Sequence, residues 1–123
     1  MISRPEDRPD DLSDLLPRFD LRGMDLSLER MEAALEQLAR PAGSIPAVQV
    51  VGTNGKGSIA CLIHHGLMAS GLRSGLTTSP HLVSWCERIR VNDQLIDSKD
   101  LRRNLEHLQP IVQDCRLTPF EQL

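Results

Sequence analysis

Aromatic side chains are scarce in this chain of 123 residues, which has two phenylalanines, one tryptophan and no tyrosine. A platform of stacked rings for single-stranded nucleic acid is therefore not expected. A strong charge of one sign is also lacking, because the formal net charge is only −3. No basic field exists to attract nucleic acid or an anionic membrane. The core must be aliphatic, and a hydrophobic content of 40% suits a globular domain.

Metal-binding cysteine pairs and long apolar runs are absent from the sequence as well. Cys61, Cys86 and Cys115 are widely spaced and form no C-x-x-C pair, which argues against zinc and redox motifs. Three reduced thiols are typical of a cytoplasmic protein. No apolar run reaches the roughly 18 residues that indicate a membrane span. Residues 1–14 are acidic and polar, unlike a signal or transit peptide. We expect a cytoplasmic protein without nucleic-acid or membrane partners.

Residues 1–15 are predicted to form a disordered tail or a short helix. A helical pattern of apolar residues follows them. Apolar residues from Leu28 to Leu38 recur on one helical face, which Asp25 or Ser27 would cap. A second helix is predicted over residues 58–70. A third, capped by Asp97 or Ser98, would be kinked or split by Pro110.

Strand patterns surround the second predicted helix. Residues 47–51 (AVQVV) are rich in valine and predict a buried strand. Residues 73–77 predict a second strand, parallel to the first because a helix connects them. Residues 87–91 and 94–96 predict a short hairpin around Asn92-Asp93. The order strand, helix, strand predicts an α/β fold with a parallel βαβ core and a right-handed crossover.

The most informative segment is the glycine-rich loop, residues 52–58 (GTNGKGS), between the first predicted strand and the helix. Glycines allow backbone N–H groups to turn inward around phosphate oxygens, and a helix N-terminus adds partial positive charge. Lys56 could reach the β- and γ-phosphates, and Ser58 could offer a hydroxyl to phosphate or magnesium. The loop departs from the strict phosphate-loop pattern, since Val50 replaces the first glycine and Gly57 separates lysine from serine.

The glycine-rich loop has two alternative interpretations. A turn with a solvated lysine and no ligand is one alternative. A dinucleotide site is the other, but its glycines follow a different order, and it requires an acidic residue about twenty positions later. No Asp or Glu lies between Ser58 and Glu87. That absence disfavours nicotinamide or flavin binding and favours a polyphosphate, whose acidic metal ligand must come from elsewhere.

Four ordered segments, GTNGKGS, TTSPHL, ERIRVN and LTPFE, together resemble folylpolyglutamate synthase/dihydrofolate synthase, a family of Mur-ligase-like enzymes. The resemblance covers residues 16–123, and DLSLERM at residues 25–31 is similar to the helix that precedes the family's first strand. It implies a P-loop-type, Mur-ligase-like ATP-binding domain, here incomplete.

The resemblance implies an ATP-dependent ligase that adds glutamate to dihydropteroate and/or folate through an acyl phosphate, in folate biosynthesis and one-carbon metabolism. ATP and Mg²⁺ are the implied cofactors. The implied partners are ATP, dihydropteroate or a reduced folate, and L-glutamate, bound by a full-length monomer.

Site residues are carried over from the matching motifs. The implied ATP contacts are Gly52, Thr53, Asn54, Gly55, Lys56, Gly57 and Ser58, with Lys56 bridging the terminal phosphates as the catalytic residue. Ser79 matches a magnesium ligand. The implied pterin contacts are Thr118, Pro119, Phe120 and Glu121, joined by Arg18, Phe19 and Asp20 in a segment without a strong motif. His81, Glu87 and Arg88 are expected to support the TSPHL loop, the last two through a salt bridge.

The family continues beyond the LTPFE motif with further metal ligands and a second domain. We therefore expect an N-terminal fragment that is inactive alone and exposes a sheet edge. Two alternatives stay open: a stand-alone nucleotide-binding module without ligase activity, or a fragment of a cell-wall Mur ligase. The phosphate loop of the latter lacks the glycine between lysine and hydroxyl.

Overall fold

A computed structural model of the chain describes residues 12–16 and 28–123. In chain order the elements are α1 (Glu29–Gln37), α2 (Lys56–Ala69), β1 (Gly75–Thr77), a 3-10 turn (Trp85–Arg88), β2 (Ile89–Val91), β3 (Gln94–Leu95) and α3 (Ser98–Cys115). Two compact units are formed, one by Met1–Pro46 with Arg102–Leu123 and the other by Ala47–Leu101. The predicted caps Asp25 and Ser27, and the predicted pterin contacts at residues 18–20, lie outside the described residues.

The first unit is organised around the apolar faces of α1 and α3. Ala34, Val112 and Leu117 are its buried centre, and Met31, Leu108, Ile111 and Cys115 pack against them. The predicted apolar face of α1 is confirmed only in part: Met31 packs against this centre, but Leu28 and Leu38 lie at the two caps of the helix and are exposed. The side-chain amide of Gln37 donates to Asp114 over 2.6 Å and ties the end of α1 to α3.

Residues 12–16 also belong to this unit. Leu12 and Leu16 are buried, and the guanidinium of Arg102 donates to both oxygens of Asp14 over 2.9 Å. This bidentate pair lowers the pKa of Asp14. On α3, Asp97 accepts from the Lys99 N–H, as the sequence predicted for the cap. The helix runs without interruption past Pro110, so the predicted split does not occur.

The second unit contains a three-stranded antiparallel sheet in the order β1-β2-β3. Leu76 pairs with Arg90, and Arg90 in turn pairs with Leu95. The predicted hairpin around Asn92-Asp93 is confirmed, and Asn92 adopts a left-handed φ of 52° that asparagine tolerates. The first part of the predicted 87–91 strand is instead a 3-10 turn, which ends at Arg88.

The prediction of a buried strand at residues 47–51 is wrong. These residues form neither strand nor helix, and Val48 and Val51 are 69% and 79% exposed. Within residues 28–123, no strand pairs with this segment, and β1 pairs antiparallel with β2. The predicted parallel pairing is therefore not present. A valine-rich run favours a pleated surface, but a strand forms only beside a partner that accepts its hydrogen bonds.

Candidate functional site

The glycine-rich loop turns through two glycines with positive φ. Gly52 has a φ of 152°, and Gly55, the N-cap of α2, lies in the left-handed region with a φ of 73°. Side chains other than glycine are strained in this region because Cβ approaches a carbonyl oxygen. Gly52 and Gly55 are thus required by the backbone of the loop, and Gly55 leads the chain directly into the first turn of α2 at Lys56.

The first turn of α2 presents unopposed positive charge. The helical hydrogen bonds begin with the Ile59 N–H to the Gly55 carbonyl, 3.0 Å, so Lys56, Gly57 and Ser58 have N–H groups without a carbonyl one turn earlier. No side chain caps this end, and the first turn contains no acidic residue. Every residue from 52 to 58 is exposed, and a Cβ on Gly57 would meet only open space. This arrangement suits an anion.

Lys56 folds back over the glycine-rich loop. Its Nζ donates to the Gly52 carbonyl over 2.7 Å and to the Thr53 carbonyl over 3.3 Å. The ammonium group is thereby held above the loop, on an exposed side chain, instead of extending into solvent. A phosphate oxygen could replace either carbonyl without a change in the fold, because both bonds are local.

The 78–84 loop, between β1 and the 3-10 turn, is held by one carboxylate. Glu87 accepts from the N–H groups of Leu82, Val83 and Ser84 over 2.9, 2.8 and 2.8 Å. These bonds, that of Leu82 foremost, lower the pKa of Glu87. Ser84 in return accepts from the Cys86 N–H. Ser79, the predicted magnesium ligand, precedes these residues and is exposed.

The expected salt bridge between Glu87 and Arg88 is wrong. Glu87 binds backbone N–H groups, and the Arg88 Nε donates to His81 Nδ1 over 2.8 Å. Because arginine can only donate, this ring nitrogen of His81 is an acceptor. The rings of His81 and Trp85 are 4.3 Å apart, and the Arg88 guanidinium lies 5.1 Å from the centre of the Trp85 ring. The sequence does contain a signal for this role of Glu87, because Ser84-x-x-Glu87 is a capping-box pattern.

The segment 118–121 in the first unit has the same reciprocal pattern. The Thr118 N–H donates to Glu121 Oε2 over 2.7 Å, and the Glu121 N–H donates to Thr118 Oγ1 over 3.3 Å. Arg30 pairs with the same carboxylate at 3.3 Å. Burial raises the pKa of Glu121, but the Thr118 N–H and Arg30 outweigh it and the net shift is downward. The carboxylate of Glu121 is therefore engaged by the protein.

The other members of this segment are open to a ligand. Phe120 is 64% exposed. Thr118 and Pro119 line a cavity of about 620 Å³ whose wall also includes Gln113, Arg116 and Gln122. Of the four predicted pterin contacts, three thus have accessible surface. The prediction that they bind a pterin stays a prediction.

A buried histidine in the second unit was missed by sequence reasoning. His64 on α2 is 2% exposed, and its Nδ1 lies 2.8 Å from Ser74 Oγ while its Nε2 lies 2.8 Å from the Asn92 carbonyl. Ser74 and Asn92 are joined to each other by two further bonds. A carbonyl can only accept, so Nε2 carries a proton. The residue secures the helix that carries the glycine-rich loop to the strands.

Neither a metal cluster nor a membrane helix is found where the structure describes the chain. No group of three or more His, Cys, Asp or Glu side chains that could hold a metal occurs among residues 12–16 and 28–123. In the same residues, no helix combines the length and the apolar character needed to cross a bilayer.

No family model matches this chain. Similar proteins are nevertheless found both among curated sequences and among solved structures. The dihydrofolate synthase/folylpolyglutamate synthase of Mycobacterium tuberculosis is 33% identical over 111 residues, which cover 85% of this chain and 23% of that protein. The bifunctional folylpolyglutamate synthase/dihydrofolate synthase of Yersinia pestis, complexed with AMPPNP and Mn, superposes with a TM-score of 0.81 and 28% identity. That alignment covers 99% of this chain and 30% of that one.

A further structure of such a bifunctional synthase, with Mn, AMPPNP and L-glutamate bound, has a TM-score of 0.75 and 32% identity. It is matched over 85% of this chain and 26% of its own. The chain thus spans about a quarter of the length of the relatives it matches.

Proposed function

Since this chain resembles dihydrofolate synthase/folylpolyglutamate synthase in sequence and in structure, we propose that it supplies the triphosphate-binding part of an ATP-dependent ligase. The ligase joins L-glutamate to the carboxylate of dihydropteroate and/or a folate. Because the chain spans about a quarter of its relatives, the proposal for this chain by itself is nucleotide binding without amide formation.

The observation that carries this proposal is the start of α2. Three N–H groups, a helix dipole and the Lys56 ammonium occupy one exposed turn from which carboxylates are absent. Anions bind such a turn because the backbone donors are already aligned. Lys56 would exchange its carbonyl partners for oxygens of the β- and γ-phosphates, and the other residues of the glycine-rich loop would hold the triphosphate.

The chemistry follows from the poor reactivity of a carboxylate. Its oxygen attacks the γ-phosphorus of ATP, ADP leaves, and an acyl phosphate forms. The amine of glutamate then attacks the acyl carbon, inorganic phosphate departs with the bonding electrons, and the amine loses a proton to give the amide. The task of the protein is to position the reactants and neutralise the charge of the triphosphate. Lys56 would serve both purposes.

The oxygen donors in this part of the chain would bind a divalent cation only together with the phosphate oxygens of the triphosphate. No carboxylate or histidine cluster is present in the described residues, but the hydroxyls of Ser58 and Ser79 are exposed hard-oxygen donors. We propose that they would hold Mg²⁺ or Mn²⁺ together with phosphate oxygens and water. When bound, the cation would offset phosphate charge. Phe120, Thr118 and Pro119 are proposed to contact the pterin.

Titration calorimetry with ATP and MgCl2 tests nucleotide binding by the purified chain. Lys56→Ala should weaken binding at least about tenfold, because a charge-assisted bond to phosphate is lost. Lys99→Ala is the matched control: Lys56 and Lys99 are the two lysines of the chain, and Lys99 is an exposed residue of α3. Equal affinity for ATP in the Lys56 and Lys99 variants, or no binding by the unaltered chain, would contradict the proposal.

The second assay supplies ATP, Mg²⁺, dihydropteroate and L-glutamate to the same chain and measures amide product. We expect none above background. Amide formation at the rate of a complete ligase would show that residues 1–123 contain all the catalytic groups, and would overturn the restriction to nucleotide binding.

A further inference from the structure

Ser79 lies in a short stretch of loop that one arginine holds on both sides. The Thr78 N–H, directly before Ser79, donates to the Arg88 carbonyl over 3.1 Å. Two residues after Ser79, His81 Nδ1 accepts from the Arg88 Nε over 2.8 Å. The backbone and the side chain of Arg88 thus contact the loop before and after Ser79, and only Pro80 separates Ser79 from the second contact.

The Arg88 side chain is itself fixed by its surroundings. Its guanidinium lies 5.1 Å from the centre of the Trp85 ring, a distance at which a cation is attracted to the face of an aromatic ring. His81 packs against the same ring, with 4.3 Å between the two ring centres. These three residues are half-buried, whereas Ser79 is exposed. The cluster therefore supports a residue that itself remains accessible.

Such a support matters for a hydroxyl that ligates a metal ion. Mg²⁺ requires near-ideal octahedral geometry and gives up its water ligands reluctantly, so a serine in a mobile loop would contribute little to binding it. Groups that orient a metal ligand typically change metal affinity by about 10- to 100-fold. Ser79 has no charge with which to attract a cation, and its contribution therefore depends on where its oxygen is held.

From these contacts we infer that Arg88 is the positioning residue for Ser79 when ATP binds together with a divalent cation. Arg88 acts through Thr78 and His81, and it contacts neither the nucleotide nor the cation. This inference rests on the proposed function, because that function supplies the nucleotide and the cation.

The substitution that tests the inference is Arg88→Lys. Lysine keeps the positive charge and the backbone carbonyl, but its flexible ammonium group lacks the planar fork of a guanidinium. Calorimetry measures ATP affinity in MgCl2 and again in EDTA, and the ratio of the two is the gain from the cation. We expect Arg88→Lys to reduce this gain about tenfold and to leave the affinity in EDTA unchanged. Arg90→Lys is the matched control, because Arg90 is also half-buried and pairs with Asp93 of the hairpin at 4.0 Å.

A double-substitution cycle tests whether the effect passes through Ser79. In a Ser79→Ala background, Arg88→Lys should cause no further reduction of the gain from the cation. An equal reduction with and without the Ser79 hydroxyl would overturn the inference, as would an unchanged gain in Arg88→Lys. A loss of ATP affinity in EDTA would also overturn it, because that result would indicate a direct contact between Arg88 and phosphate.

A measurement without nucleotide separates this inference from the proposed function. Amide relaxation in NMR gives the backbone order parameters of Ser79 and His81 in the chain alone. We expect values of about 0.85 in the unaltered chain and in Arg90→Lys, and below about 0.6 in Arg88→Lys, with α2 unchanged in all three.

The two kinds of measurement assign a failure to its cause. Equal order of Ser79 in Arg88→Lys and in the unaltered chain would overturn the inference even if ATP binds. Absence of ATP binding to the unaltered chain, in both MgCl2 and EDTA, would instead contradict the proposed function. The order parameters would then still decide whether Arg88 positions Ser79.

Discussion

Two loops in the second unit gather backbone N–H groups, and they differ in what those groups face. In the 78–84 loop, three consecutive donors converge on the carboxylate of Glu87, which lies a few residues later in the same chain. At the end of the glycine-rich loop, three donors of the first turn of α2 face open space without an acidic residue. The first loop contains its own anion, and the second requires one from outside.

This difference separates a structural use of backbone donors from a binding use. A carboxylate supplied by the chain fixes a loop whenever it is ionised, so the 78–84 loop needs no ligand to hold its conformation. A loop whose donors are left open gives up that stabilisation and gains affinity for anions. The glycine-rich loop is therefore the better candidate for a phosphate site, and the 78–84 loop the better candidate for a rigid support of Ser79.

The largest effect should come from His64→Ala, which breaks the connection between the elements that carry the two loops. Ser74 and the Asn92 carbonyl would lose their partner inside a buried site. We expect a loss of about 3 kcal/mol in the free energy of unfolding, measured by urea titration. His65→Ala is the control: its ring is exposed and bonds to the Cys61 carbonyl of the same helix, so the expected loss is under about 0.5 kcal/mol. Equal losses would contradict the assigned role.

A smaller effect is expected from Ser58→Asp, which gives the glycine-rich loop an anion of its own. A carboxylate in the first turn of α2 should stabilise the helix by about 0.5 kcal/mol and reduce ATP affinity at least about tenfold through repulsion. Ser70→Asp, at the C-cap of the same helix, should have the opposite effect on stability and leave ATP affinity unchanged. Retained ATP affinity in the Ser58 variant, measured by calorimetry, would show that phosphate binds elsewhere.

A third substitution tests the backbone of the glycine-rich loop without changing its charge. Gly55→Ala should cost about 1 kcal/mol, because alanine is strained at a φ of 73°. Gly66→Ala, in the middle of α2 with open space around the added methyl, should instead stabilise the protein by about 0.5–1 kcal/mol. Thermal unfolding measures whether each variant is more or less stable than the unaltered chain. A stabilising Gly55→Ala would contradict the left-handed conformation at Gly55.

The sequence was most informative where structure is decided locally. The start of α2, the Asp97 cap and the hairpin at Asn92 depend on residues a few positions apart, and each was predicted. Pairing of residues 47–51 depends on a partner strand, which no local pattern reveals. The partners of His64 lie 10 and 28 positions away, so its burial could not be anticipated. The binding roles of Lys56 and Ser79 came from motif resemblance, and they remain predictions about a bound state.

The smallest effect concerns the protonation of Glu87. Its pKa is lowered by the N–H groups of Leu82, Ser84 and Val83. The folded state therefore favours the carboxylate, and the stabilisation is complete above the ordinary glutamate pKa and is lost as pH falls through the lowered value. Amide NMR shifts of these three residues should titrate together, with a midpoint below the ordinary value. Glu87→Gln should remove that titration. Glu121→Gln, the control, should affect the Thr118 amide and leave the 78–84 loop unchanged. A midpoint at or above the ordinary value would mean that the N–H groups of the 78–84 loop do not stabilise the Glu87 carboxylate, and the contrast with the glycine-rich loop would lose its energetic basis.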